Sequence, residues 1–296
     1  MVVDRGHDFP IEIQENLDAF GEDMWLYRDR PEHTTTRALN AYKGDHRGFE
    51  YLTPRIRITP HDLMNTKLEQ PAVLHFICSP VRAATIISEV QGYPGWKPIT
   101  VYEPIPDRCV PEELPALIKV LPSITILSPN AEEALSLLSM SLPPTKALIE
   151  EACRRLLDLG VGNNGSGCVI IRSGALGAYV ATREREEWID AFWVDDDSHI
   201  VDVTGAGNSF LGGLGAGLLL AHGDIYEATL YATVSASFTI EQEGLPRLSR
   251  DLGVDGEVTE RWNGDLPRVR FEELQRRLAK LQRNKSCGNY NKHVKG

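Results

Sequence analysis

From residue 73 to residue 172 short apolar runs recur, separated by stretches of helical periodicity, and this alternation constrains the chain more than any other feature. Val73-Leu-His-Phe-Ile, Ile99-Thr-Val-Tyr, Ile124-Thr-Ile-Leu and Val169-Ile-Ile-Arg read as strands, while 81–90, 112–120, 130–139 and 146–159 read as helices. Apolar runs without polar alternation belong to strands covered on both faces, and helical connections between them make βα units. The pattern predicts an α/β fold: a three-layer α/β/α core with a mostly parallel sheet. Ala178-Tyr-Val-Ala and Ala191-Phe-Trp-Val add two strands, read as an antiparallel pair, and helices near 208–221, 225–242 and 271–284 close the chain.

The beginning reads differently. Residues 1–23 carry no strong periodicity, and no apolar strand is expected before residue 24. Residues 24–58 hold short β-favouring pieces, Met24-Trp-Leu-Tyr, 34–42 and Phe49-Glu-Tyr-Leu-Thr. Lys43-Gly-Asp-His-Arg-Gly supplies a turn, so the last two pieces are expected to form an antiparallel hairpin. The expected organisation is an N-terminal segment (1–23), a small β unit (24–58), the α/β core (59–284) and a flexible tail (285–296).

The most informative loop is Asp202-Val-Thr-Gly-Ala-Gly-Asn-Ser, preceded by a strand-like His199-Ile-Val and followed by a glycine-rich apolar helix. Small residues at 205–207 let a ligand approach the backbone. Consecutive amides from Gly205 to Asn208, at the positive end of a helix dipole, suit an anion such as a transferring phosphoryl group. The alternative is a tight turn in which Asn208 or Ser209 caps the helix. Gly212, Gly213, Gly215 and Gly217 each cost up to ~1 kcal/mol against Ala in a helix and are read as packing residues. Packing leaves the Asp-x-Thr-Gly-Ala-Gly run unexplained.

Several classes are excluded or disfavoured. No GxxxxGK[ST] occurs, and Gly213-Leu-Gly-Ala-Gly has the wrong last spacing for GxGxxG, so neither a Walker-type NTPase nor a dinucleotide oxidoreductase fits. Ser79, Ser173 and Ser209 lack a nucleophile-elbow context. With 31 Lys+Arg against 42 Asp+Glu the net charge is -11, which repels phosphate backbones and argues against a direct nucleic-acid partner. Arg276, Arg277, Lys280, Arg283 and Lys285 are read as complements to a helix C-terminus. Phe210 to Ala221, the longest apolar stretch, has 12 residues, short of the about 20 that span a bilayer, so no membrane partner is expected. Five widely spaced cysteines without a CxxC pair point to neither zinc nor a disulfide framework. With a start too charged for a signal peptide, the expectation is a reduced, cytoplasmic location. The eight scattered histidines are read as structural or solvated, and Asp195-Asp-Asp197 as a charged surface turn.

The 202–208 loop resembles the C-terminal signature of the ribokinase-like (PfkB) carbohydrate kinases, in which Asp-Thr-x-Gly-Ala-Gly-Asp runs into a helix. Other motifs agree in the family's order. Pro129-Asn130-Ala-Glu-Glu133 is similar to an Asn-x-x-Glu motif that helps place Mg2+ and phosphate through water. Arg172-Ser-Gly174-Ala-Leu-Gly177 resembles a strand–Gly-x-x-Gly turn of the nucleotide pocket, and Glu243-Gly244 resembles the turn closing its far side. Asp202 and Thr204 sit where some relatives bind a monovalent cation. Asp8-Phe-Pro, the 35–42 segment, Phe49 to Pro54 and Tyr102-Glu-Pro-Ile-Pro-Asp resemble a fungal, maintenance-of-killer-like branch. The resemblance covers nearly the whole chain. It implies ATP- and Mg2+-dependent phosphoryl transfer to a sugar or sugar-like alcohol, with Gly205, Ala206, Gly207 and Asn208 cradling the phosphate and Asn130 and Glu133 placing Mg2+. Arg172, Gly174, Gly177 and Gly244 would shape the nucleotide pocket. The hairpin would be a lid over the sugar, with Arg37 and Arg47 as substrate contacts or, equally, as solvated hairpin charges.

Two departures bear on activity. The family's catalytic base is the Asp ending Gly-Ala-Gly-Asp, and here that residue is Asn208, which cannot take the hydroxyl proton at neutral pH. General-base help is typically worth about 10²–10⁴ in rate. Family members also open with a βαβ region carrying a substrate-gripping Gly-Gly, and here Gly-Gly occurs only at 212–213. The expectation is a fragment of a longer product or a shortened protein with an incomplete sugar pocket. Two functions therefore stand: a slow carbohydrate kinase, or a catalytically inactive nucleotide-binding pseudokinase acting through a protein partner or a second copy of the chain.

Overall fold

Val2 and Val3 open a strand where the sequence showed none. In the computed structural model β1 (Val2–Gly6) leads through α1 (Ile11–Asp18) to β2 (Leu26–Arg30), and the two strands pair in parallel, Val2 opposite Leu26. The structure describes residues 1–296 except 44–45, 55, 195–196, 253–255 and 294–296; the side chains of 40–43, 46–49, 197, 281–282 and 284–293 are also left undescribed. Hydrophobic alternation misses β1 because its polar residues are compensated by charge. Asp4 pairs with Arg28 at 2.8 Å and Arg5 with Asp29 at 2.8 Å, across the two strands. The Trp25 indole donates to the Leu17 carbonyl at 2.7 Å, fastening the end of α1. β3 (Ala38–Lys43) and β4 (His46–Tyr51) form the expected antiparallel hairpin; residues 44–45 of the expected turn lie outside the described residues. These elements belong to one compact unit, residues 1–71 with 88–96; residues 72–87 and 97–296 make the other.

The second unit carries the sheet. In chain order it contains β5 (Val73–Cys78), α2 (Pro80–Gln91, of which residues 88–91 are assigned to the first unit), β6 (Ile99–Pro104), α3 (Leu114–Val120), β7 (Ile126–Leu127), α4 (Ala131–Leu137), α5 (Lys146–Asp158), β8 (Cys168–Arg172), β9 (Ala178–Ala181) and β10 (Glu186–Ile189). The six strands lie in the order β10-β9-β8-β7-β6-β5; β5 to β8 are parallel, and β9 and β10 are antiparallel to their neighbours. Strand periodicity divides the core into two layers. Tyr102, Leu127, Val169 and Ile171 join the cluster under α2 to α5, while Val101, Ile126, Cys168 and Ile170 join the cluster on the opposite face. That second face is covered by α6 (Ala206–Leu220), α7 (Ile225–Thr239) and the start of α8 (Pro267–His293). The expected three-layer architecture is therefore present.

Helix ends follow their residues. Thr145 caps α5, accepting from the Leu148 amide at 3.3 Å, and Asp224 caps α7, accepting from Tyr226 and Glu227. Gly213 and Gly217 are packing residues: an added Cβ would fall 2.5 Å from Ser235 Cβ and 2.8 Å from the Ala228 carbonyl on α7. Gly212 faces open space and Gly215 would make only an ordinary contact, so packing does not require those two.

Other expectations need correction. The strand placed at 191–194 lies instead at Glu186–Ile189, because the Thr182 amide donates to the Arg185 carbonyl at 2.8 Å and turns the chain early. Trp193 makes a loop contact, its indole donating to Glu241 at 3.1 Å. His199-Ile-Val is no strand; a 3-10 turn ends at His199, and the Val201 amide donates to the Ile240 carbonyl at 2.8 Å. A hairpin of β11 (Leu248–Leu252) and β12 (Val258–Trp262) was unforeseen, since its pairing is polar, Arg250 with Glu260 and Arg261 with Asp251. The last helix starts at Pro267 and extends to His293, with no proline to stop it near 284. Cys78, Cys109, Cys153 and Cys168 are free and buried. Among the described residues no helix is long and apolar enough to cross a membrane.

Candidate functional site

Parallel strands deliver their C-terminal ends to one edge of the sheet, where open α/β sheets hold ligands. Arg172 ends β8 and Glu103 is the penultimate residue of β6. Ser128, Pro129 and Asn130 follow β7, and the Arg172 amide donates to the Pro129 carbonyl at 3.1 Å, bringing these ends together.

Asn130 and Glu133 form a capping box at the start of α4. Asn130 Oδ1 accepts from the Glu133 amide at 2.8 Å, and Glu133 Oε2 accepts from the Asn130 amide at 2.7 Å. Asn130 Nδ2 donates to Glu133 Oε1, also at 2.7 Å. The motif thus has a complete local role in starting the helix.

Arg172 is the hub. Its Nη2 donates to Glu103 Oε1 at 2.6 Å and to the Ser128 carbonyl at 3.2 Å, and lies 3.7 Å from Glu133 Oε2. His75 Nε2 lies 3.3 Å from the other Glu103 oxygen. Glu103 and Glu133 are 5% and 6% exposed. Burial pushes the Glu133 carboxyl up to about 7, against the Arg172 guanidinium and the Asn130 amide. Burial would also raise Glu103, but the His75 hydrogen bond and the nearer guanidinium hold it below its ordinary value. Arg172 Nε and Ser128 Oγ are buried without a hydrogen-bond partner among the described residues.

The 202–208 loop meets this hub. A Cβ added at Gly207 would fall 2.5 Å from Arg172 Nη1, so glycine there admits the guanidinium beneath the first turn of α6. Gly205 takes φ 85° and is the N-cap; Ala206 begins the helix, which places Asn208 at its third position and corrects the expectation that Asn208 or Ser209 caps it. The first ladder bond runs from the Ser209 amide to the Gly205 carbonyl at 2.9 Å, so the Gly207 and Asn208 amides stand outside the ladder. The Ala206 amide is committed to the Val203 carbonyl at 3.2 Å, which removes one of the four expected donors. Asp202 Oδ1 accepts from the Thr204 amide at 2.9 Å, and bonds from Thr204 hold the Asp202 carboxyl below its ordinary value. Ser209 Oγ is bonded to Ser235, fastening α6 to α7.

The remaining expected residues are elsewhere. Gly174 and Gly244 take positive φ (55° and 80°), and a Cβ added at either would meet nothing within 4 Å. Gly177 is demanded by the fold, since a Cβ there would fall 2.1 Å from the Ile189 carbonyl. Arg37 is exposed and paired with Asp8 at 2.7 Å in the first unit, while the Arg47 side chain lies outside the described residues, as do Asp195 and Asp196. Glu103, His75 and Ser128 were missed as site residues. The available signal was a lone carboxylate near the end of an otherwise uncharged run, Ile99-Thr-Val-Tyr-Glu103.

The arrangement can hold an anion: two backbone amides at a helix start and a guanidinium fixed from behind. As direct ligands, Asn130 and Glu133 do not suit Mg2+. Both Glu133 oxygens already accept hydrogen bonds and a guanidinium lies beside them. No group of three or more His, Cys, Asp or Glu among the described residues could hold a metal.

Residues 101–249 match the profile of the pfkB family carbohydrate kinases. An uncharacterized protein of Schizosaccharomyces pombe is 32% identical across 94% of this chain and 80% of its own length. Protein MAK32 of Saccharomyces cerevisiae is 32% identical across 91% and 77%. Among solved structures, the fructokinase of Vibrio cholerae O395 in its fructose-, ADP- and calcium-bound form superposes with a TM-score of 0.58 at 18% identity, covering 82% of this chain and 79% of that one.

Proposed function

Since the chain belongs to the PfkB family of carbohydrate kinases, in a fungal branch of it, we propose that it binds ATP with its phosphates against the first turn of α6 and slowly transfers the γ-phosphoryl group to a sugar-type hydroxyl. The observation that carries this reading is the meeting of Arg172 Nη1 with Gly207, at the same place as the unladdered amides of Gly207 and Asn208. In the transfer the hydroxyl oxygen bonds to the γ-phosphorus and the bond to the ADP oxygen breaks. The proton leaves to solvent. The amides and Arg172 would stabilise the equatorial phosphoryl charge. Asn208, exposed at the third helical position, can orient the hydroxyl but cannot accept its proton.

Asn208 also supports a second reading, a nucleotide-binding protein without transfer that acts through a protein partner in the cytoplasm. A thermal-shift titration with ATP tests what the two share: a native-state ligand raises the melting temperature, and no shift at millimolar nucleotide would remove both. A phosphoryl-transfer screen across sugars then compares wild type with Asn208→Asp. The kinase reading expects a gain of about a hundred- to ten-thousand-fold from the restored base. Absence of transfer by either protein favours the partner-dependent reading.

A further inference from the structure

We propose that Arg172 is the resident counter-charge for a bound phosphate, standing where a divalent cation would otherwise serve, so that nucleotide phosphates bind this chain without Mg2+. The proposal rests on the reading that nucleotide phosphates occupy the first turn of α6. Among the described residues the side-chain hydrogen bonds of Arg172 leave through Nη2, to Glu103 and to the Ser128 carbonyl. Nη1 remains for a ligand, directly under Gly207, and Nε is buried without a partner. A guanidinium held in this way offers its donors with little further loss of side-chain freedom, and its planar fork matches phosphate geometry.

The same contacts work against a directly coordinated metal. Glu133 would have to share oxygens that already accept from Asn130, and its nearest cation is already Arg172 at 3.7 Å. A dication added there would face a fixed positive charge in a site whose carboxylates are 5% and 6% exposed. One positive charge is thus built into the fold at the end of β8, where a bound metal would have to bring it from solution.

Isothermal titration of the full chain with ADP, once in Mg2+ and once in excess EDTA, tests the proposal. The expected result is comparable affinity under both conditions, with Arg172→Gln losing about ten- to a hundredfold in EDTA. Because that variant strips two buried carboxylates of their cation and can fail to fold, Gly207→Ala is the second probe. Its Cβ would fall 2.5 Å from Nη1 and displace the guanidinium while leaving the charges in place, so it too should weaken ADP binding in EDTA. Binding that appears only with Mg2+, or that survives in EDTA unchanged in both variants, overturns the proposal and leaves the nucleotide reading standing. No ADP binding under either condition overturns both.

Discussion

Glu103 and Glu133 face the same guanidinium and respond in opposite directions. Glu103, at 2.6 Å from Arg172 and bonded to His75, stays below its ordinary value; Glu133, at 3.7 Å, is carried up to about 7 by burial. The stability consequences differ in sign. A carboxyl whose folded pKa exceeds its unfolded value near 4.5 binds its proton more tightly in the folded state. The protein therefore loses stability as pH rises from about 4.5 through about 7, by about 3 kcal/mol from this group. Glu103 contributes stability that is present above its unfolded value and is lost only at lower pH, outside that window. Glu133→Gln removes the ionisation while a helix-capping amide remains. Urea unfolding at pH 5 and pH 8 should show wild type losing stability relative to the variant across the interval. A difference independent of pH would mean that Arg172 compensates the burial in full.

At the scale of elements, α6 and α7 pack through glycine. Gly217→Ala should cost about 1–3 kcal/mol, because its Cβ would fall 2.8 Å from the Ala228 carbonyl and must separate the helices. Gly212→Ala, in the same helix with nothing within 4 Å, should stabilise by about 0.5–1 kcal/mol. Denaturation midpoints for the pair test the packing account; equal effects would contradict it. This contrast also shows what the sequence could convey. The strands β6 to β9 were legible because burial on both faces makes them nearly continuous apolar runs, and the edge strand β5 was legible from its apolar run although His75 and Ile77 are exposed. β1, β11 and β12 were not, because their cross-strand partners are charges and alternation carries no trace of them. The start of α6 was misjudged by capping preference, since Gly205 in a left-handed conformation takes the N-cap position, without a side-chain cap. Asn130 and Glu133 were legible as a motif, whereas the approach of Arg172 to Gly207 joins residues on different elements and exists only once β8 and α6 are folded.

At the scale of the molecule, a chain of net charge -11 is proposed to bind a polyanion, so local positive potential has to outweigh the global field. Arg172 and the positive end of α6 supply that potential at the C-terminal edge of the sheet. The two compact units divide the fold so that the phosphate-side residues, Glu103, Asn130, Glu133, Arg172 and Gly205 to Asn208, all belong to the second unit. The central claim is that these residues hold a terminal phosphate. A crystal structure of the chain with ADP tests it most directly. The account predicts a terminal phosphate oxygen about 3 Å from the Gly207 or Asn208 amide nitrogen and from Arg172 Nη1. Phosphates bound elsewhere, with Arg172 Nη1 turned back to a protein acceptor, would contradict it.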